Sequence, residues 1–310
     1  MLKYTLKRIG FALLVIWVVI TLTFILMHSI PGNPFAKEGR MPTGVYENLQ
    51  RHYNLDKPYI EQYWLYIKSV ARFDFGPSMK SSTMTVNDYI KKGFPVSAHL
   101  GLQALILALT FGIILGVIAA LKHNKWQDNA SMVIAIIGIS VPSFVMATVL
   151  QNYVAVEWKL LPVATWKSWW HTILPTISLA AMPTAFIARL MRSSMLEVLG
   201  QDYIKTAKAK GLTASVVILR HAIRNAILPI VTVLGIIMTN LMTGSFIIEK
   251  IFGIPGMGEM FVKSIGNRDY PVILGSTIFY SALLTLFTLF IDIAYKFIDP
   301  RIKVTGGSEG

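Results

Sequence analysis

The 310-residue chain has no cysteine, which rules out disulfides, thiol catalysis and cysteine-based zinc or iron–sulfur sites. Charge is scarce. Only 15% of the residues are Asp, Glu, Lys or Arg, against roughly 25% in a soluble domain, while 54% are hydrophobic. That is too little polar surface for a water-soluble fold of this length. Acids are scarcer still, 16 against 29 basic residues. The sequence contains no G-x-x-x-x-G-K-[ST] phosphate loop, no H-E-x-x-H and no G-x-S-x-G, so neither nucleotide hydrolysis nor these hydrolytic chemistries have their usual framework. No catalytic residue, metal site or bound cofactor is expected of this chain.

What is present is apolar length. Six stretches reach the ~20 apolar residues that cross a bilayer core: residues 9–30, 98–121, 131–156, 172–191, 226–248 and 272–297. The first follows Lys3, Lys7 and Arg8. It is longer than the apolar core of a signal peptide and lacks a small-residue cleavage site, so it is expected to stay as a span. Pro142 and Pro183 fall inside spans, where kinks are tolerated because neighbouring groups satisfy the freed carbonyls. Gly112 and Gly116 form a GxxxG pair suited to tight helix packing.

Orientation follows from the basic residues. With the N-terminus inside, the short cytoplasmic segments carry 15 Lys and Arg and the short external ones 5, as the positive-inside rule requires. Both termini are then cytoplasmic. The net charge of +13 is accounted for in this way, and no nucleic-acid partner is expected. Trp158, Trp166, Trp169 and Trp170 fall where an outer interfacial belt belongs. Asp292, near the inner end of the last span, is the clearest intramembrane acid; snorkelling or pairing with a nearby base explains it.

The loop between the first two spans is too long to lack structure. Residues 44–55, 57–71 and 84–92 carry apolar residues at helical spacing, predicting a small helical cap on the outer face. The chain therefore divides into 1–97 (first span and outer helical loop), 98–298 (membrane core, with a cytoplasmic loop at 193–225) and 299–310 (cytoplasmic tail).

The cytoplasmic loop carries the most specific pattern. Asp202 can cap a helix running through Tyr203, Ile204, Lys205, Thr206, Ala207, Lys208, Ala209 and Lys210, with the last lysines favoured by the helix dipole. Gly211 suits the left-handed residue after the helix. Thr213 can cap a second helix leading to Leu228-Pro229. A short helix held by two spans can fill a groove of a soluble partner or rest on anionic lipid, and local pattern alone leaves both open.

This segment resembles the EAA loop of ABC importer permeases. Lys205-Thr206-Ala207 stands at the triplet and Gly211 at the glycine, with His221-Ala222-Ile223-Arg224-Asn225-Ala226 following as in the dipeptide/oligopeptide branch. In chain order, Pro31-Gly32-Asn33-Pro34, Asp74–Ser78, Phe94–Ser97, Glu249–Gly258, Asn267–Tyr270 and Ile298–Arg301 also look like that branch, most of all its B-type oligopeptide permease. Dipeptide and nickel permeases share the frame. The resemblance implies an all-α type I importer fold with six transmembrane helices in a bacterial cell membrane. It implies a second homologous permease, two ATP-binding subunits and an extracytoplasmic peptide-binding protein as partners, and a peptide as cargo. Tyr203, Lys205, Thr206, Ala207, Lys208 and Gly211 would couple to an ATPase subunit.

Thr239, Asn240 and Thr243 cluster in the fifth span. They can line a translocation path or hydrogen-bond between helices. The Pro255-Gly256-Met257-Gly258 run can serve as an outer gate or as a plain turn. A proton-coupled secondary transporter would need buried carboxylates and internal repeats; neither stands out in the sequence.

Overall fold

The computed structural model of the chain describes residues 2–29, 47–48, 50–51, 53–81 and 83–298. The Pro31–Pro34 and Asp299–Arg301 motifs, the 299–310 tail, residues 44–46, 49 and 52 of the expected helix at 44–55 and the side chain of Asp292 lie outside the described residues. Four helices among the described residues are long and apolar enough to cross a membrane, and two bent helix pairs bring the number of crossings up to six. The chain forms two compact units, one of residues 1–96 with 255–285 and one of 97–254 with 286–310.

The first unit contains α1 (Leu2–Ser29) and α2 (Tyr59–Ala71). Its face towards lipid is apolar, with Leu13 and Leu26 more than 60% exposed. Polar contacts tie α2 to α1: Thr21 Oγ1 and Tyr63 Oη are 2.7 Å apart, and His28 Nε2 lies 3.1 Å from Gln62 Oε1.

The outer helix expected at 84–92 is not separate. It is the start of α3 (Val86–Leu121), 36 residues long. At 1.5 Å per residue this is roughly 54 Å, well beyond a ~30 Å hydrocarbon core. Thr85 and Asp88 form a reciprocal cap that starts the helix: Thr85 N–H donates to Asp88 Oδ2 at 2.9 Å and Asp88 N–H to Thr85 Oγ1 at 3.2 Å. Gly93 packs on Met257 and Met260, and the helix runs on through Pro95 into the expected span.

Two sequence motifs meet in this unit. The Ser78 hydroxyl donates to the buried Asp269 carboxylate, and Met79 N–H donates to Asp269 Oδ1 at 3.0 Å. Asn87 holds the preceding turn, accepting from Phe75 N–H at 3.1 Å and donating to the Phe73 carbonyl at 2.6 Å. α11 (Met257–Asn267) and α12 (Tyr270–Ile298) flank Asp269. Gly275 of α12 lies so close to Val86 and Phe75 that a Cβ there would fall 2.5 Å from Val86.

The second unit is built on α6 (Trp170–Leu199). Pro175 and Pro183 do not interrupt it; Ser178 and Thr184 hydroxyls bond back to the Leu174 and Ala180 carbonyls at 2.8 and 2.7 Å. Pro142 acts more strongly than a kink. It separates α4 (Trp126–Ser140) from α5 (Ser143–Glu157) by a bend of 101°, because Val141 before it is extended, as a residue preceding proline prefers. The α3 glycines pack on α6 as the spacing predicts: a Cβ at Gly112 would meet Ile187 at 2.8 Å, and one at Gly116 would meet Met191 at 2.6 Å.

α7 (Asp202–Ala209) is followed by α8 (Ala214–Ala226) and α9 (Leu228–Met242), the last two bent by 51°. α9 ends short of the expected 248. Gly244 turns with φ +90°, and the Ser245 side chain caps α10 (Phe246–Phe252).

Candidate coupling site and translocation cavity

The segment expected to couple folds as a short amphipathic helix between two turns. Ile204 and Ala207, three residues apart, are buried and join a cluster with Met191, Met195, Val198, Val217 and Ala222. The opposite face carries Tyr203, Lys205, Thr206, Lys208 and Ala209, all exposed. Lys205 Nζ pairs with Asp202 Oδ1 at 2.8 Å, leaving the outward face basic.

Gly211 has φ +75° with open space around its Cα. Its N–H donates to the Lys208 carbonyl at 3.0 Å and Leu212 N–H to the Ala207 carbonyl at 3.4 Å, the paired bonds of a Schellman motif. Three details differ from the sequence expectation. Gln201, not Asp202, is the residue before the first helical turn, and the Asp202 carboxylate goes to Lys205. Thr213 precedes α8 without a side-chain cap bond. Ala207 faces the chain's own core, so its small size serves packing beneath α7 and not approach by a partner.

A clamp that the sequence did not flag holds this region. Asp128, only 2% exposed, accepts from Arg192 Nε and from Arg192 Nη2, each at 2.7 Å. Asn124 N–H donates to the same carboxylate at 3.0 Å, and His123 Nδ1 lies 3.2 Å away. The pair joins the start of α4 to the last third of α6, two turns before that helix ends. The only sequence signal was one acid in a basic loop.

In the fifth span, the Thr239 hydroxyl donates to the Gly235 carbonyl and the Thr243 hydroxyl to the Thr239 carbonyl, both at 2.9 Å. These two threonines satisfy their own helix. Asn240 is different: it is exposed and lines a cavity of about 420 Å3 with Ser143 and Ser245. In the third candidate segment, Gly256 and Gly258 are buried and Pro255 is exposed. Gly256 stands at the start of α11, and the chain passes from one compact unit to the other between Ile254 and Pro255.

Comparison with known proteins fits this architecture. The family model for the binding-protein-dependent transport system inner membrane component matches residues 112–304, and that for the N-terminal part of such components matches residues 1–100. The dipeptide transport system permease protein DppB of Bacillus subtilis (strain 168) is 52% identical over 98% of this chain and 99% of its own length. The oligopeptide transport system permease protein OppB of Haemophilus influenzae is 43% identical over 98% and 100%. A crystal structure of an amino acid ABC transporter superposes with a TM-score of 0.50 at 16% identity, covering 69% of this chain and 94% of that one. An inward-facing methionine ABC transporter gives 0.51 at 17% identity, covering 67% and 94%. These two establish the type I permease fold. The chain belongs to the inner membrane components of binding-protein-dependent transport systems, in the branch of the dipeptide and oligopeptide ABC permeases.

Proposed function

We propose that this chain forms one half of the membrane channel of an ATP-driven peptide importer, with α7 as its lever. A second homologous permease completes the channel. Two ATP-binding subunits sit on the cytoplasmic side, and an extracytoplasmic binding protein delivers the peptide. Both termini are then cytoplasmic. Hydrolysis is left to the partner subunits, and this chain converts their motion into a change of access.

The observation that carries the reading is the two-faced packing of α7. Its inner face, Ile204 and Ala207, is buried on the ends of α6 and α8. Its outer face, Tyr203, Lys205, Thr206 and Lys208, is exposed. A push on that face is transmitted through packed side chains to two membrane helices, because close-packed interiors resist compression. The names of the relatives include both dipeptide and oligopeptide systems, so peptide is the cargo class.

The chain has no cysteine, which makes the test clean. Single cysteines at Thr206 and Ala209, both exposed, are expected to crosslink to an ATP-binding subunit in the assembled complex, with yield that changes on ATP addition. Crosslinks to lipid alone would overturn the lever reading in favour of a helix lying on the membrane.

A further inference from the structure

The 420 Å3 cavity in the second unit falls within the roughly 300–1,000 Å3 range of small-ligand sites. Its walls come from α4, α5, α6 and α9, and they are mainly apolar, with Met182 and Phe186 prominent. Three polar side chains interrupt them: Ser143, Asn240 and Ser245. One charged residue lines it, Arg189, and no acid does.

Arg189 contrasts with Arg192, one turn further along α6. Arg192 is neutralised by Asp128 through two 2.7 Å bonds. Arg189 has no ion pair or hydrogen bond among the described residues, and its side chain is exposed. A lone guanidinium beside an apolar-walled cavity creates a positive field that low-dielectric walls focus. It also offers a planar fork that matches a carboxylate with two parallel bonds.

A peptide at neutral pH carries a carboxylate at one end and an ammonium at the other. The lining has a charged partner for the first and none for the second. Asn240, with no hydrogen-bond partner among the described residues, supplies both donor and acceptor for a peptide unit, and the apolar wall reads no particular side chain. We propose that Arg189 is the residue of this cavity that receives the C-terminal carboxylate of the peptide cargo, with Asn240 bonding to its backbone. The proposal rests on the peptide-import reading above. Within α6, Arg189 is the lining residue closest to the end that leads to α7, so the carboxylate is held on the side from which the lever acts.

The experiment is charge rescue in the assembled importer, with cysteine-free partner subunits, reconstituted in liposomes with trialanine as cargo. Arg189→Cys is expected to lower the maximal uptake rate at least tenfold while leaving the half-saturating trialanine concentration unchanged, since the binding protein sets the latter. Modification with aminoethyl methanethiosulfonate, which restores a cation, should recover most of the rate. The sulfonatoethyl reagent, which installs an anion, should not. Trialanine under turnover should slow the modification of the cysteine. Arg189→Lys should stay within about threefold of the unmodified importer, and co-purification of the partners checks assembly of each variant. Uptake by Arg189→Cys equal to that of the unaltered chain, or equal recovery by both reagents, would overturn the proposal. A failure of the unaltered chain to import trialanine would instead overturn the peptide-import reading beneath it.

Discussion

Gly211 shows how one residue can set the shape of the turn after α7. Nothing lies within 4 Å of where its Cβ would be, so space does not require glycine there; φ +75° does. A Cβ in the left-handed region costs about 1–2 kcal/mol. Gly211→Ala should therefore speed hydrogen exchange over residues 200–212, and Gly211→Asn should do so less because Asn tolerates that region. Asp128 and Arg192 make the complementary case, where the partner and not the backbone decides. Each single change, Asp128→Asn or Arg192→Gln, strands a group that its neighbour was bonded to. Thermal unfolding of both singles and the double should give a coupling energy on the order of 1–3 kcal/mol. Additive effects would show that the pair is not a clamp.

At the level of elements, α7 is too short to be stable alone, since isolated helices under about 12–15 residues are marginal in water. Its stability comes from the buried face. Ile204→Ala should cost about 2–4 kcal/mol of local packing, whereas Thr206→Ala on the outer face should stay within about 0.5 kcal/mol. Hydrogen exchange across residues 202–209 separates the two, and a larger effect at Thr206 would refute the inward placement of Ile204. The helix, its glycine and the basic outer face were legible in the sequence, because propensity and turn chemistry are local. Which residue faced inward was not. Ile204 and Ala207 share a face by spacing, but so do Tyr203, Thr206 and Lys210, and only packing against Met195, Val198 and Val217 selects between them. The same limit explains α3. Gly93 and Pro95 are real breakers, yet the Thr85–Asp88 cap and the Met257–Met260 contact carry one helix across them.

For the whole molecule, stability is divided between two units that each close on their own contacts. In the first, Asp269 anchors the turn after Asp74 through Ser78 and Met79. Asp269→Ala would leave a buried hydroxyl and a backbone N–H without that acceptor. Exchange of amides in residues 74–81 should rise, while protection of residues 202–212 in the second unit should be unchanged, as sites with no shared partners act independently. A rise in both places would show that the units unfold as one.

The sequence by itself determined that the chain lives in a membrane, that up to six of its segments can cross it, and where a glycine turn follows the 202–209 helix. Apolar length, charge scarcity and a φ > 0 requirement are all properties of neighbouring residues. Only the tertiary structure decided the Asp128–Arg192 clamp, the Ser78–Asp269 tie and the placement of Arg189 at the cavity. The first two join residues 64 and 191 positions apart, and the third depends on four helices meeting. A buried polar group must find a partner somewhere, but no local pattern says where that partner stands in the chain.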